Sequence, residues 1–166
     1  MNGLWVVALF AMADRGVMLD AHVVTSSGEK AMLASQWGKP TVLFYEDRFS
    51  TKLNQTLKDG LFKRGVELGL IGRVSVVAVA NLEGLDWFPA RGFALGAVRD
   101  AEKEAGIPVY VDWSGVLARA PWRLPAKNAS VVVLDARGQV TWEASGALGP
   151  SQREEVFNEL LKLLRE

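Results

Sequence analysis

Two short stretches of this sequence are apolar without the alternation of a half-exposed strand. Val74–Ala80 reads VSVVAVA and Ser130–Leu134 reads SVVVL. Strands of this kind are buried on both faces, because helices cover both sides of the sheet to which they belong. The sequence therefore predicts an α/β fold in which a central sheet is sandwiched between other layers.

The clearest connection from a strand to a helix lies near residue 45. Thr41–Tyr45 is an apolar, β-rich run, Glu46-Asp47-Arg48 is a charged turn, and Ser50 suits the N-cap of a helix. A helix over about Thr51–Arg64, ended by Gly65, is predicted by apolar residues four positions apart, namely Leu53, Leu57 and Leu61. Ligands bind at such turns in open α/β sheets, so this turn is the first candidate site.

The remaining segments complete an α/β order. A short helical turn is expected over Lys30–Trp37, and a short strand over Val109–Val111. Gln139–Glu143 reads as the strand that returns from Ser130–Leu134 in a hairpin, and Ser151-Gln-Arg-Glu154 is a capping box for a final helix. The predicted order is strand, helix, strand, helix, strand, hairpin and terminal helix.

The second long helix is predicted over Ala90–Ala105, followed by Gly106 and Pro108 as stop signals. Its apolar residues share one face: Phe93, Ala94, Ala97, Val98 and Ala101. Gly92 and Gly96 weaken a helix by about 1 kcal/mol each relative to alanine. We therefore expect close packing at this face as compensation.

The element order resembles a thioredoxin-like fold, a three-layer sandwich with a central mixed sheet, helices on both faces and a C-terminal hairpin plus helix. Gly38-Lys39-Pro40 resembles the start of the peroxiredoxin and TlpA-type branches. In those families the next strand leads into a cysteine-containing turn, and Phe49-Ser-Thr-Lys52 takes the CxxC position here. They place a cis-proline before the strand at Ser130, whereas this chain has Ala129. A cis bond before a non-proline residue costs about 2.5–4 kcal/mol, so a trans bond is expected.

The later part of the chain is similar to the bacterial YtfJ family. The matching motifs are Val109-Tyr-Val-Asp112, Ser114-Gly-Val116, Trp122-Arg-Leu124, Ser130–Asp135, Gly138-Gln-Val140, Trp142, Gly146-Ala-Leu148 and the helix Glu154–Leu164. That family is uncharacterised, thioredoxin-folded and typically exported to the periplasm. The resemblance thus implies a fold and a location, and it carries no catalytic residues.

Composition removes several classes of function. The 166 residues include no cysteine, which excludes disulfides, thiolate nucleophiles, dithiol redox chemistry and cysteine-based zinc sites. His22 is the one histidine, so a multi-histidine metal site is excluded too. The 19 basic and 19 acidic residues balance and suggest neither nucleic acid nor anionic lipid as a partner. We expect no cofactor and no metal ion, and the oligomeric state is left open.

The N-terminal run Leu4–Ala13 has two interpretations. It ends in Ala-Met-Ala, a small-residue pattern typical of cleavage after an export signal, and no Lys or Arg precedes it. It could instead be a buried N-terminal strand. The run is shorter than the about 20 residues that cross a bilayer, so no integral membrane span is expected. Residues 14–166 are predicted to form one domain, exported to the periplasm, with a cytoplasmic location as the alternative.

The charged turn itself has two interpretations. Glu46 and Asp47, with Arg48 as charge partner, could form a carboxylate pair in which the pKa of Glu46 is raised and Glu46 acts as an acid or base. The simpler interpretation is a solvated turn whose carboxylates favour the following helix N-terminus. Ser50 is not predicted to be a nucleophile, because Gly-x-Ser-x-Gly is absent and capping explains the residue.

A contact surface for a protein or peptide is the other prediction. Asn128 and Ser130 should face the Phe49 turn, where they would bind an extended peptide by strand addition or else close a tight loop. Loop aromatics, including Trp87-Phe88 and Trp122, either form a recognition patch or cover the sheet edge. The predicted contact residues are Glu46, Asp47, Arg48, Phe49, Ser50, Lys52, Trp122, Asn128, Ala129 and Ser130.

Two hypotheses from different classes follow. The first is a redox-inactive thioredoxin-like domain that is exported and binds a protein or peptide through the Glu46–Lys52 edge. The second is a non-thiol enzyme that uses Glu46 or Asp47 at that edge.

Overall fold

The computed structural model describes residues 12–166 and contains seven strands and three α-helices in that range. In chain order they are β1 His22–Val24, β2 Lys30–Met32, β3 Thr41–Glu46, α1 Gln55–Glu67, β4 Ser75–Asn81, α2 Ala90–Ala105, β5 Val109–Asp112, β6 Ser130–Leu134, β7 Val140–Ser145 and α3 Pro150–Leu163. Two 3₁₀ helices, Leu33–Gln36 and Val116–Ala118, lie between strands. The predicted bounds of α2 and β6 are confirmed.

The strands form one mixed sheet in the order β2-β1-β5-β4-β3-β6-β7. β3, β4 and β5 are parallel to one another, and the remaining neighbours are antiparallel. α1 connects β3 to β4, and α2 connects β4 to β5 in the same direction across the sheet. Parallel crossovers are right-handed, so α1 and α2 lie on the same face.

The two faces of the sheet carry different layers. On the helix face, Phe44 of β3 and Val131 of β6 pack with Leu57 of α1 and Val156 of α3, and α2 covers β5 through Val98. The opposite face, here the loop face, is covered by the two 3₁₀ helices and by irregular segments. The predicted α/β sandwich with a C-terminal hairpin and helix is confirmed, and its helical layers are unequal: three α-helices on one side and two 3₁₀ helices on the other.

Two local predictions were wrong. Gly65 does not end α1 but lies buried inside it, where an added Cβ would come within 3.3 Å of Ile71 Cδ1. Ser151 does not cap α3; the helix begins at Pro150, and the Gly149 N–H donates to Gln152 Oε1 at 3.2 Å. The short helical turn predicted over Lys30–Trp37 is confirmed as the 3₁₀ helix Leu33–Gln36, while the first three residues of that range form strand β2 instead.

The N-terminal prediction concerns residues 1–13, of which 1–11 lie outside the described residues. Over residues 12–166, none of the helices combines the length and the apolar character needed to cross a membrane.

Candidate functional site

The end of β3 places a buried carboxylate against α1. Alternation along β3 directs Glu46 to the same face as Val42 and Phe44, so its side chain meets α1 rather than solvent. Lys58 Nζ lies 2.6 Å from Glu46 Oε1 and 3.0 Å from Glu46 Oε2, and it also donates to the Thr51 carbonyl oxygen at 2.8 Å. Glu46 and Lys58 therefore form a closed, largely buried ion pair.

Burial raises the pKa of the Glu46 carboxyl above its ordinary value, and the Lys58 ammonium opposes that rise. The direction is the one expected when desolvation of the charged form outweighs a single partner. A raised pKa of Glu46 is the direction that the acid-or-base interpretation of the turn requires. However, both carboxylate oxygens are held by Lys58, so an acid or base role would require this pair to open.

We expect Glu46→Gln to change the pH dependence of stability. Because the folded-state pKa is raised, the contribution of Glu46 titration to stability is fully present below about pH 4.5, its ordinary pKa, and is lost as pH rises through the folded-state pKa. The free energy of unfolding of Glu46→Gln, minus that of the unmodified protein, should therefore increase as pH rises from about 4 to 7. Urea unfolding across this range measures the difference, with Glu104→Gln on the exposed side of α2 as the matched control. A difference that stays flat or falls with rising pH contradicts the assignment.

The turn after β3 is held by its own side chains. Asp47 Oδ1 accepts hydrogen bonds from the Phe49 N–H at 3.0 Å, the Ser50 N–H at 2.9 Å and the Ser50 hydroxyl at 2.8 Å. Ser50 Oγ in turn accepts from the Asp47 N–H at 3.0 Å. Ser50 is consequently buried in the turn rather than capping a helix, and the prediction of an N-cap at Ser50 was wrong.

α1 begins five residues later than Ser50, with Asn54 in the cap position. The Asn54 side chain does not cap the helix. Its amide donates to the Gly146 carbonyl oxygen at 3.0 Å, and its Oδ1 accepts from the Leu148 N–H at 2.9 Å. These long-range bonds fix the start of α1 against the β7–α3 connection, and sequence spacing alone did not indicate them.

Three of the predicted contact residues of the turn face solvent. Phe49 is 80% exposed, and the guanidinium carbon of Arg48 lies 4.5 Å from its ring centroid. Lys52 is exposed as well. Within residues 12–166, neither Arg48 nor Lys52 has an ion-pair partner. This part of the predicted contact surface is open.

The loop before β6, by contrast, is not accessible to a partner strand. Tyr45 of β3 pairs with Ser130, so the two loops do adjoin the same end of the sheet, as predicted. Ala129 and Ser130 are buried, however, and Ser130 also pairs with Ser145 of β7. Asn128 is half-buried and accepts from the Ala129 N–H through Oδ1 at 2.9 Å. Strand addition at Ser130 was a wrong prediction, because both of its backbone edges are occupied. The cis bonds of the described chain precede Pro89 and Pro121, so the bond before Ala129 is trans, as expected.

Trp122 does not belong to the contact surface. It is fully buried in the loop-face core, where its indole N–H donates to the Asp20 carbonyl oxygen at 2.9 Å. Its ring centroid lies 6.5 Å from that of Trp37. Trp122 is therefore a core anchor on the face of the sheet opposite Glu46, and the prediction of a contact role was wrong.

A groove of about 660 Å³ runs along the helix face between α1 and α2. Ala78 and Ala80 of β4 form its floor, and α2 lines it along its whole length, from Ala90 to Ala105. Its polar lining is confined to the end where β3 meets α1: Glu46, Asp47, Arg48, Thr51 and Lys58. The groove joins the predicted strand-to-helix turn to an apolar cavity of a size typical of ligand sites.

Exposed aromatic side chains line the groove or neighbour residues that line it. Trp87 is 57% and Phe93 77% exposed, and both line the groove. Phe88 and Phe49 are 94% and 80% exposed; Phe88 lies between the lining residues Trp87 and Pro89 in the chain, and Phe49 follows the lining residue Arg48. We call Phe49, Trp87, Phe88 and Phe93 the aromatic rim. The sequence leaves Trp87-Phe88 with two interpretations, a recognition patch or a cover for the sheet edge, and it places Phe93 on the apolar face of α2 where close packing is expected.

Phe93 is exposed because the described part of the protein covers only some of the apolar face of α2. Val98 is its buried residue, while Ala97 and Ala101 face the groove. The expected close packing at Gly92 and Gly96 was also wrong, since a Cβ at either position would meet nothing within 4 Å. The sequence did contain a signal of this exposure: two glycines, which are poor helix formers, lie beside the apolar face of α2.

Comparison of the sequence with known proteins gives one partial match. No family model matches the chain. A stretch of 55 residues is 44% identical to the uncharacterized protein YtfJ of Escherichia coli strain K12. This stretch makes up 33% of this chain and 29% of that protein, so the match spans less than a third of the curated relative. The resemblance to YtfJ predicted from the sequence is confirmed over that stretch.

Comparison of the structure identifies the fold. A secreted thiol-disulfide isomerase from Corynebacterium glutamicum superposes with a TM-score of 0.66 at 16% identity, over 92% of this chain and 88% of that one. The pneumococcal exposed lipoprotein thioredoxin Etrx1 from Streptococcus pneumoniae gives 0.61 at 16% identity, over 87% and 99%. Peroxiredoxin Q from Xanthomonas campestris gives 0.59 at 18% identity, over 90% and 98%. The fold is thioredoxin-like, as predicted, and at these identities the likeness concerns the fold alone.

Proposed function

We propose that this chain is a binding protein without thiol chemistry, which holds an apolar segment of a polypeptide partner against the aromatic rim. The observation that carries the proposal is a set of four aromatic side chains, each more than half exposed, of which Trp87 and Phe93 line one groove and Phe49 and Phe88 directly follow lining residues in the chain. Isolated exposed apolar residues need no explanation, whereas a cluster of them marks an interaction site.

Residue type supports a polypeptide partner. Aromatic residues and arginine are enriched in protein interfaces, and tryptophan, tyrosine and arginine dominate the residues that carry binding energy. The rim combines Trp87 and three phenylalanines with Arg48, which stacks on Phe49. Arg48 and Lys52 favour an acidic residue beside the apolar segment of the partner.

The residues at the positions that correspond to CxxC in thioredoxin-like proteins support the same proposal. The turn that the thioredoxin-like resemblance places at CxxC contains Phe49, Ser50, Thr51 and Lys52, and the whole sequence contains no cysteine. Asp47 and Ser50 bond each other within that turn. A thiol-disulfide exchange step needs a thiolate, so what this site offers a partner is a surface rather than a reactive group.

Capture of a partner by the rim is the test. We expect a polypeptide identified by affinity capture to bind the purified protein directly, and the double substitution Phe88→Ser with Phe93→Ser to weaken that binding by about 10- to 100-fold, since rim aromatics of this kind contribute about 1–3 kcal/mol together. Phe62→Ser is the matched control, because Phe62 is an exposed phenylalanine of α1 outside the rim. Calorimetry with the purified partner measures both. Equal binding by the control and the rim variant would reject the rim as the contact surface.

Export is part of the proposal. Two of the structures with this fold are described as a secreted protein and an exposed lipoprotein, and the apolar run Leu4–Ala13 ends in a pattern typical of signal cleavage. We expect the protein in the periplasmic fraction of its native host. Immunoblotting of fractionated cells, with a cytoplasmic marker as control, measures this. Recovery with the cytoplasmic marker would refute export.

A second candidate function, a non-thiol enzyme, is favoured by one observation. Glu46 is a buried carboxylate with a raised pKa at the mouth of an apolar groove, and perturbed carboxylates cluster at catalytic sites. A substrate screen distinguishes the candidates. Turnover that Glu46→Gln abolishes supports the enzyme, whereas partner binding that Glu46→Gln preserves supports the binding protein.

A further inference from the structure

The interior of the groove differs from its rim, and it fits another kind of ligand. We propose that the groove binds one unbranched long-chain carboxylate, with its alkyl chain along β4 beneath α2 and its carboxylate at Arg48. The carboxylate end of this site adjoins the aromatic rim and shares Arg48 with the proposed contact surface, whereas its alkyl chain lies along Ala78, Ala97 and Ala101. The inference does not depend on a polypeptide partner.

The walls of the groove offer no partner to a peptide backbone. Its floor, β4, is paired with β3 on one side and with β5 on the other, and α1 and α2 satisfy their own backbone groups. A peptide lying inside would leave its buried N–H and C=O groups without hydrogen bonds, which costs about 1–3 kcal/mol for each group. An alkyl chain has no such groups. The interior therefore favours a ligand without a backbone.

The groove is long enough for an extended chain. α2 has 16 residues, which corresponds to a length of about 24 Å at 1.5 Å per residue, and residues from Ala90 to Ala105 line the groove. An alkyl chain lying along β4 beneath α2 can therefore bury its CH₂ groups against this apolar wall.

The polar residues of the groove lie at one end, so the ligand has one polar end. At that end Glu46 and Lys58 neutralise each other, and Asp47 is engaged by the Phe49 and Ser50 backbone. Within residues 12–166, the Arg48 guanidinium makes no hydrogen bond or ion pair and contacts the Phe49 ring. Among the charged groups at the polar end of the groove, the one without a partner in the described residues is thus the Arg48 guanidinium. Carboxylate is the head group whose geometry it matches by two parallel hydrogen bonds.

Chain length is the first test. Isothermal titration calorimetry of the full chain with octanoate, decanoate and dodecanoate should give one site, and each added pair of CH₂ groups should tighten binding by about 15-fold. Dodecanol and dodecylamine carry the same alkyl chain with a neutral or a cationic head. Dodecanoate should bind about three- to fivefold more tightly than dodecanol, as expected for a partly exposed ion pair, and dodecylamine should bind most weakly.

Filling the groove is the second test. Ala97 and Ala101 lie on α2 and face the groove from its open side, so larger side chains there should not disturb the core. Ala97→Phe and Ala101→Phe should each weaken dodecanoate binding by at least about 10-fold, because the added ring occupies the space of several CH₂ groups. Ala136→Phe, at an exposed alanine of the β6–β7 turn, is the matched control and should bind like the unmodified protein. Circular dichroism checks that each variant is folded.

Arg48→Gln tests the head group. It should lower the affinity for dodecanoate by about three- to fivefold and leave that for dodecanol unchanged, so that selectivity for the carboxylate disappears. The Phe88→Ser variant should keep dodecanoate binding, since Phe88 does not line the groove. Loss of the polypeptide partner in Phe88→Ser with dodecanoate binding intact separates this inference from the proposed function.

Three results would overturn the inference. The first is no calorimetric binding of dodecanoate to the unmodified protein. The second is equal binding by Ala97→Phe, Ala101→Phe and Ala136→Phe, which would place the alkyl chain outside the groove. The third is tighter binding of dodecylamine than of dodecanoate, which would show that the head group is a cation.

Discussion

Replacing Trp122 with alanine is expected to lower the free energy of unfolding by about 3–5 kcal/mol. Trp122 is the largest side chain of the described chain that is fully buried, and it lies in the core between the sheet and the loop-face segments. Its removal leaves a cavity that the surrounding irregular segments can fill only in part. It also leaves the Asp20 carbonyl oxygen without the indole N–H that now bonds it at 2.9 Å.

Equilibrium urea unfolding measures this loss, and two substitutions calibrate it. Trp122→Phe keeps part of the buried surface and should cost about half as much. Trp87→Ala removes the same kind of side chain from the aromatic rim, where it is 57% exposed, and should cost no more than about 1 kcal/mol. If Trp122→Ala and Trp87→Ala are equally mild, Trp122 does not anchor the core.

Asp112→Ala is expected to have the second-largest effect, a loss of about 3–4 kcal/mol in the free energy of unfolding. Asp112 is buried at the end of β5. Its Oδ2 accepts from the Tyr45 hydroxyl at 2.9 Å and the Leu117 N–H at 3.0 Å, and its Oδ1 accepts from the Val116 N–H at 2.9 Å. Alanine would leave three buried donors unpaired, and each costs about 1–3 kcal/mol, part of which relaxation recovers.

Tyr45→Phe is the matched comparison, because it removes one of these three bonds and leaves the other two. It should cost about 1 kcal/mol. Burial, and after it the Asp112 carboxylate, raise the pKa of the Tyr45 phenol, so the hydroxyl donates throughout the neutral range. Unfolding curves that show no difference between Asp112→Ala and Tyr45→Phe would mean that the two backbone bonds of Asp112 carry no stability.

Several elements could be predicted because their signal is local. The unalternating apolar runs at Val74–Ala80 and Ser130–Leu134 became the strands β4 and β6. β6 is buried on both faces, as predicted, whereas β4 is only half-buried on the face that forms the floor of the groove. Ala90–Ala105 became α2 with Gly106 in the left-handed conformation at its end. The order of strands and helices then restricted the fold to few topologies, since parallel crossovers have one hand. The absence of cysteine from the sequence removed thiol chemistry from the candidate functions without any structure.

The strand-to-helix turn was predicted where the structure has it, but the bonds that its side chains make were not. Glu46, Arg48 and Phe49 lie at the predicted strand-to-helix turn, and the partner of Glu46 proved to be Lys58, twelve residues further along. Ser50 has the residue type of a helix cap, but Asp47 engages its hydroxyl and backbone first. Residue type indicates what a side chain can bond, whereas the bond it makes depends on which groups the fold brings within about 3 Å.

The sequence by itself determined the α/β class, the element order and the exclusion of thiol chemistry, because strand and helix patterns and the presence of a sulfhydryl group are properties of the chain read in order. Only the tertiary structure decided which aromatic residues are buried and which are exposed. Trp122 and Trp87 are the same residue type in loop segments, yet one is the centre of a core and the other stands at a rim.

The groove arose in the same way: two crossovers of the same hand lay α1 and α2 side by side on β4, and the small side chains of Ala78, Ala80, Ala97 and Ala101 leave the space between them unfilled. Burial depends on contacts between segments far apart in sequence, so it exists only once the layers have packed.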